Sequence, residues 1–480
     1  MSLTTDSRHE AAQSGGCRTE HDMLGDVDVP ADTYYGAHTV RAVANFPITG
    51  ETLAARPHLI VALAAVKQAA ALANAEVGAL DGTLASAITQ ACTEIREGAL
   101  HEQFVVDLIQ GGAGTSTNMN ANEVIANRAL ELLGRQRGDH AALHPLDHVN
   151  LGQSTNDVYP TAVKLALDAH IGGLLGALAR LREAFGGKAD EFADVLKTGR
   201  TQLQDAVPMT LGQEFGAFAA TLAEDELRLT EARLLLHELN LGGTAIGTGL
   251  NARPGYRERA VEQLRRLTCI PTLVSAPDLI EATQDVGVFV QLSGVLKRVA
   301  VKLSKICNDL RLLSSGPQAG FGEINLPARQ AGSSIMPGKV NPVIPEAVNQ
   351  IAFEIIGNDV TVTLAAEGGQ LQLNAFEPVI YRSLSAGLDH LTAGIGVLTE
   401  HCVRGITANR QRLAETMAAS TGPVTALSPA IGYETACALA LEARHTGRAA
   451  LDLVRERALL TEVELQTLIS PASLTGPPAL

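Results

Sequence analysis

Apolar side chains recur at helical spacing along most of this chain. Between Asp278 and Ser315 there is no proline, and Val286, Phe289, Val290, Val295, Leu296, Val299, Leu303, Ile306, Leu310 and Leu313 fall at or near every third or fourth position. Pro277 and Asp278 make a start signal, and Gly316-Pro317 a stop. The pattern predicts one helix over this span, about 55 Å long at a rise of 1.5 Å per residue. Segments 160–195, 209–239, 345–372 and 379–403 read as further long helices, and 58–79, 83–98 and 119–134 as shorter ones. Short loops rich in Gly, Pro or Asn join them. No βαβ alternation and no GxGxxG is present, so the expectation is an all-α protein built on a large antiparallel bundle. Many helix faces are apolar all round, more than one chain buries, which predicts bundles packed against each other in an oligomer. The expected division is a disordered tail over 1–20, a helical domain over 21–153, a central long-helix bundle over 154–405 and a small helical domain over 406–480.

Composition narrows this picture. A length of 480 residues predicts two or three domains. Hydrophobic residues make up 46%, aromatics only 3%, and Trp is absent, so the core is built from Leu, Ala, Val and Ile. The formal net charge of −15 argues against nucleic acid or an anionic membrane as partner. It also requires that any site for an anion be locally positive, through Lys, Arg or helix N-termini. The six cysteines are scattered, without a CxxC pair or metal-ligand spacing, which fits a reducing cytosol. Cys307 and Cys402 lie in helical patterns and read as small core residues. No apolar run is read as reaching transmembrane length, and residues 1–20 lack the apolar stretch of a signal peptide.

The candidate chemistry is concentrated in polar loops. Residues 330–350 read QAGSSIMPGKVNPVIPEAVNQ. Ser333 and Ser334 are followed by Lys339 and Asn341, between Gly332 and Gly338, which free the backbone, and Pro337 and Pro342, which restrict it. Hydroxyls, one cation and one amide suit a carboxylate substrate and a proton removed beside it. Three more segments share this character: GGAGTSTNMNANEV (111–124), DHVNLGQSTNDVYPT (147–161) and GRTQLQDAVPMTLGQE (199–214). They offer Thr115 and Ser116; Ser154, Thr155 and Asn156; and Thr201 and Gln202. Helix capping accounts for each segment alone; together they hold more uncharged polar groups than capping needs. Glu281, Asp285 and Glu346 read as caps or ion-pair members. Arg200 reads either as a source of positive field or as half of a structural ion pair. His101 and His401 have no partner visible in the sequence.

The string GSSIMPGKVNP, with LGDVDVPADTYYGAHTVRA, QGGAGTSTNMNANEV, GRTQLQDAVPMTLGQEF, SKICNDLRLLSSGP and GQLQLNAFEPVI, resembles the aspartase/fumarase superfamily over about residues 20–470. That resemblance implies three mainly helical domains, a central bundle forming a tetrameric core, and active sites each shared by three subunits. It implies β-elimination on a dicarboxylate, and on the aspartase side of the family the reversible deamination of L-aspartate to fumarate and ammonia. Carried over by motif, Thr115, Ser154, Thr155 and Ser334 would face the β-carboxylate, and Lys339 and Asn341 would hold the α-carboxylate. Asn156, Thr201 and Gln202 would contact the amino group or the adjoining carboxylate. Ser333 would be the general base; the alternative is that it donates a hydrogen bond while another group takes the proton. No cofactor is implied; magnesium activates some family members, and no Mg²⁺ cluster is recognisable here. The loop at 330–341 is expected to close over substrate.

Three features lean to the aspartase side. Gln202 stands where fumarases carry His; loss of hydroxide needs an acid, whereas an alkylammonium leaves already protonated and needs only an acceptor. NPVIPEAVNQ follows the signature, and Glu377 stands where fumarases tend to have Lys. The alternatives are a fumarate hydratase, another fumarate-releasing lyase, or a structural relative of the lens-crystallin kind; the intact serine, lysine and hydroxyl segments speak against the last. Fumarases build a second anion site on His-Pro-Asn-Asp. This chain reads His144-Pro145-Leu146-Asp147, so no such site is expected, and His144 and His148 read as structural.

Overall fold

Ala- and Leu-rich segments form helices wherever the apolar period holds. The computed structural model describes residues 16–476. Strands β1 (Cys17–Asp22) and β2 (Gly25–Pro30) make an antiparallel hairpin, followed by α1 (Ala37–Asn45), α2 (Pro57–Glu76), α3 (Gly82–Arg96) and α4 (Thr115–Leu132). The long helices are α5 (Thr155–Glu191), α6 (Leu211–Leu235), and, after α7 (Tyr256–Thr268) and α8 (Leu279–Gln284), α9 (Gly287–Leu313), α10 (Val343–Glu367) and α11 (Glu377–His401). Between α5 and α6 lies the hairpin β3 (Leu196–Thr201) and β4 (Gln204–Thr210). Two-residue strands β5 (Glu238–Leu239) and β6 (Val274–Ser275) pair in parallel, and β7 (Ile324–Asn325) and β8 (Thr407–Ala408) antiparallel. Short helices α12 (Arg410–Ala419), α13 (Gly422–Ile431), α14 (Tyr433–Thr446), α15 (Ala450–Glu456), α16 (Glu462–Leu468) and α17 (Pro471–Leu474) end the chain. The protein is all-α, with its strands confined to two-stranded pieces.

Three expectations need correction. The helix read over 278–315 is two helices: Asp285 is extended (φ −80°, ψ 129°) and its Oδ2 accepts from the Gly287 N–H at 2.9 Å, so an aspartate cap restarts the helix. The apolar period carries across this break unchanged, which is why it could not be seen in the pattern. The tail expected over 1–20 is ordered from β1 onward, because the Arg18 guanidinium gathers the carbonyls of Pro30 and Thr33 at 2.9 Å each and the Glu20 carboxylate at 2.8 Å. Residues 1–15 of that expected tail lie outside the described residues. Finally, α2 and α5 are each long and apolar enough to cross a membrane, with 78% and 67% of their most apolar stretches buried within the protein. α2 carries Lys67, Gln68 and Asn74 on its buried surface, polar groups that a lipid-facing helix does not carry.

Among the described residues, contacts divide the chain into two compact units that alternate along the sequence: residues up to 173, 229–297 and 355–389 form the first, and 174–228, 298–354 and residues from 390 onward the second. In the first, α2 packs between α3 and α7, and α3 against α4; Leu59, Ile60, Leu63, Val66, Ile88 and Ile95 are fully buried there. In the second, Val424, Leu427, Leu439, Leu453, Val454 and Leu465 form a core among α13 to α16, while α12 lies on β3 and α13 on β4. Along α10, Phe353, Ile356, Val360 and Leu364 recur on one face and are exposed, and Leu227, Leu234 and Leu235 are exposed on α6.

In the first unit Glu377 opens α11, buried. Desolvation pushes its carboxyl up to about 8, against the pull of the Lys164 ammonium. A carboxyl whose folded value is raised stabilises the fold fully below its unfolded value near 4.5 and loses that contribution as pH rises through 8. Glu377→Gln is therefore expected to flatten the stability profile between these limits, removing a fall of about 5 kcal/mol. Thermal unfolding of parent and variant at matched pH values checks this; parallel profiles would refute it.

Candidate active site

The residues singled out by sequence lie on four segments, two in the first unit and two in the second. In the first unit, the loop before α4 bends through Gly112, Ala113 and Gly114, all at positive φ (86°, 57° and 91°). A Cβ on Gly114 would lie 2.5 Å from the Tyr159 ring of α5, so only glycine lets this loop lie on α5. Thr115 therefore starts α4 exposed, beside the start of α5. Ser154 caps α5: its Oγ accepts from the Asn156 N–H at 3.2 Å, and Asp157 Oδ1 accepts from the Ser154 N–H at 2.9 Å. The capping account is thus correct for Ser154. Thr155 Oγ1 accepts from Asn118 Nδ2 at 3.0 Å, which leaves its own O–H free to donate. Asn156 Nδ2 donates to the Ala245 carbonyl at 2.7 Å.

Beneath these groups lies a layer that sequence reading missed. Asp157 is buried, with Oδ2 on the N–H groups of Gly242 (2.9 Å) and Thr244 (3.1 Å); burial pushes its carboxyl up to about 6. Asn150 Oδ1 accepts from Asn118 and Asn122 Nδ2, at 3.2 Å each, and from Lys67 Nζ at 2.8 Å. Lys67 is fully buried, and desolvation brings its ammonium down to about 7. A signal was present: one lysine in the apolar run LAAVKQAAALAN has no polar helix face to occupy.

In the second unit, β3 and β4 are joined by Gln202 and Leu203, both at positive φ (54° and 62°). This turn geometry suits Asn-Gly; with side chains of this size it is strained and holds Thr201 and Gln202 exposed at the tip. Arg200 just behind them pairs with Glu323 and stacks on the Phe321 ring, 4.2 Å from its centroid. Glu323, 2% exposed, also meets Lys197 at 2.8 Å, and Lys197 meets Glu214 at 2.6 Å. Of the two readings of Arg200, the ion pair is the one realised.

The signature loop, also in the second unit, is folded on itself. The Gly332 N–H donates to the Lys339 carbonyl at 2.9 Å, and Asn341 Nδ2 donates to the Gly332 carbonyl at 2.8 Å. A Cβ on Gly332 would meet that Lys339 carbonyl at 2.7 Å. Inside this ring Ser333 Oγ accepts from the N–H groups of Ile335 (3.1 Å) and Met336 (2.8 Å). Ser334 and Lys339 are exposed. A cavity of about 450 Å³ beside the loop is lined by Lys339, Asn341, Arg311, Ser314 and Asn325 among others, with two cations and no carboxylate. Its lining is thus locally positive within a chain of net charge −15.

Of the ten predicted residues, Thr115, Ser154, Thr155 and Asn156 lie in the first unit, and Thr201, Gln202, Ser333, Ser334, Lys339 and Asn341 in the second. His144 caps the 145–149 turn through Nδ1, and His148 Nδ1 accepts from the His144 N–H at 2.8 Å. His101 has a partner after all, the Ile95 carbonyl at 2.8 Å. Cys92, Cys307 and Cys402 are buried, and burial pushes all three thiols up, Cys92 and Cys402 to about 12.

Residues 25–357 match the family described as Lyase, and residues 424–476 the family described as Fumarase C C-terminus. An aspartate ammonia-lyase of Pseudomonas canavaninivorans is 59% identical over 461 residues, which are 96% of this chain and 97% of that protein. A crystal structure of a fumarate lyase:delta crystallin from Brucella melitensis, bound to cobalt, superposes with a TM-score of 0.93 at 54% identity, covering 96% of this chain and 100% of that one. A recombinant class II fumarase from Schistosoma mansoni superposes with a TM-score of 0.90 at 35% identity, over 96% of this chain and 100% of its own.

Proposed function

The chain belongs to the aspartase/fumarase superfamily of lyases, and from that premise we propose that it is a carbon–nitrogen lyase that deaminates L-aspartate reversibly to fumarate and ammonia. The observation that carries this reading is the Ser333 hydroxyl held under two backbone N–H groups, in a loop whose cavity holds Lys339 and Arg311 and no acid. A serine takes a proton from carbon only if its alkoxide is stabilised, and two N–H donors with nearby positive charge do that.

Ser333, its own proton first lost to solvent, acts as the alkoxide: it takes the proton from the carbon next to the β-carboxylate and becomes the hydroxyl. The electron pair passes into that carboxylate as an enediolate, which then collapses to the double bond and expels ammonia from the neighbouring carbon. Rate comes from binding the enediolate better than aspartate. Ser154, Thr155 and Ser334 donate to it, as does Thr115 on leaving the Gly112 carbonyl that its hydroxyl meets at 2.6 Å; Thr155 is suited to this, since its oxygen accepts from Asn118 and its own O–H is left to donate. Lys339 and Asn341 hold the α-carboxylate, while Asn156, Thr201 and Gln202 meet the ammonium or the adjoining carboxylate. The Gln202 amide accepts from the ammonium but supplies no proton to a departing hydroxide.

The reading extends to a homotetramer with sites completed by three subunits, for which the exposed apolar faces of α6 and α10 speak. In that assembly the domains are 21–153, 154–405 and 406–480. The six free cysteines fit a reducing cytoplasm. No cofactor enters this mechanism. Fumarate release, followed by its ultraviolet absorbance with aspartate and malate in parallel, tests the proposal. Aspartate is expected to be the substrate; turnover of malate alone would make the chain a fumarate hydratase.

A further inference from the structure

Lys67 stands in the middle of α2 with 0% exposure, and its ammonium rests on neutral amide oxygens, Asn150 Oδ1 at 2.8 Å and Gln153 Oε1 at 3.0 Å. Burying an ammonium on such partners costs several kcal/mol, a cost that a methionine in the same space avoids. What the charge does is visible in its neighbours. Asn150 Oδ1 gathers three donors, Lys67 from α2 and Asn118 and Asn122 from α4. The charged donor is the strongest and the shortest of the three, and it decides where that oxygen sits. Asn150 and Gln153 in turn brace the turn before α5, through Asn150 Nδ2 on the Gln153 carbonyl (3.2 Å) and Gln153 Nε2 on the Val149 carbonyl (2.9 Å). Asn118 Nδ2 contacts both Asn150 Oδ1 and, at 3.0 Å, Thr155 Oγ1.

We propose that Lys67 is a positioning residue for the elimination: through Asn150 and Asn118 it fixes the direction in which the Thr155 hydroxyl donates to the enediolate. This rests on the aspartate-deaminating reading above. Lys67 does not touch substrate; it acts three residues away, through two carboxamides.

The test is a double-mutant cycle on the full chain. Lys67→Met is expected to lower kcat for aspartate about 30-fold while moving succinate affinity less than about threefold. In a Thr155→Val background the same substitution is expected to cost less than about threefold, because the group it positions is gone. Lys67→Gln, a neutral donor of similar length, is expected to recover part of the rate. Equal losses in both backgrounds, or an unchanged kcat, would overturn the proposal. So would failure of both Lys67 variants to fold, which would make Lys67 a residue of the fold alone. Failure of the functional reading is separable: the parent chain itself would release no fumarate.

Discussion

Ser333→Ala is expected to slow fumarate release from aspartate by at least about a thousandfold. The alanine takes away the group proposed to receive the carbon proton, and a water in its place would be a poor substitute in position and basicity. Binding is expected to survive, with succinate held within about threefold of the parent, because the carboxylates are held by other groups. The two N–H groups that now point at Ser333 Oγ belong to the backbone of Ile335 and Met336 and remain in the variant. Ser334→Ala is expected to cost less, about tenfold to a hundredfold, since it removes one of several donors to the enediolate. Steady-state rates with succinate as competitive inhibitor distinguish these cases. A Ser333→Ala chain within tenfold of the parent would mean that Ser333 only donates a hydrogen bond and that another group takes the proton.

Lys339→Met is expected to raise KM for aspartate about a hundredfold, close to 3 kcal/mol, with a smaller change in kcat. The charge balance makes this effect large. The chain as a whole repels a dicarboxylate at −15, and the cavity beside the signature loop offsets that with two cations, of which Lys339 is one. The contact proposed for Lys339, to the α-carboxylate, would be common to aspartate, enediolate and fumarate, so its loss is expected to appear mainly as uniform binding. Lys339→Arg keeps the charge but brings a wider, planar head into a loop already closed on itself, and is expected to recover only part of the affinity. Initial rates over a range of aspartate concentrations settle it; an unchanged KM would remove Lys339 from the substrate.

The long helices were legible because their signal is repeated many times within each. Predicted segments 160–195, 345–372 and 379–403 became α5, α10 and α11 with ends moved by a few residues. The break at Asp285 was not legible, since one aspartate interrupts the backbone without disturbing the apolar phase. The hairpin at β1 was missed because its order comes from Arg18 reaching carbonyls up to 17 residues away, a tertiary effect with no local pattern. Candidates such as Thr155, Thr201 and Lys339 could be named because they fall at motif positions. Asn150, Asp157 and Glu323 were not, because they work on other protein groups, and Lys67 left only the oddity of one lysine in an apolar run, without its partners. Their hydrogen bonds span 83 residues for Lys67 to Asn150 and 85 for Asp157 to Gly242, and a single sequence does not pair positions that far apart.

The self-closure of the signature loop has a mechanical outcome. Gly332 is tied to Lys339 through one hydrogen bond and to Asn341 through another. The serine at 333 and the cation at 339 are therefore mounted on one rigid link, so its pivots fall outside 332–341. Under the role proposed for Lys339, any displacement of the lysine end by a bound carboxylate is expected to carry the serine end with it.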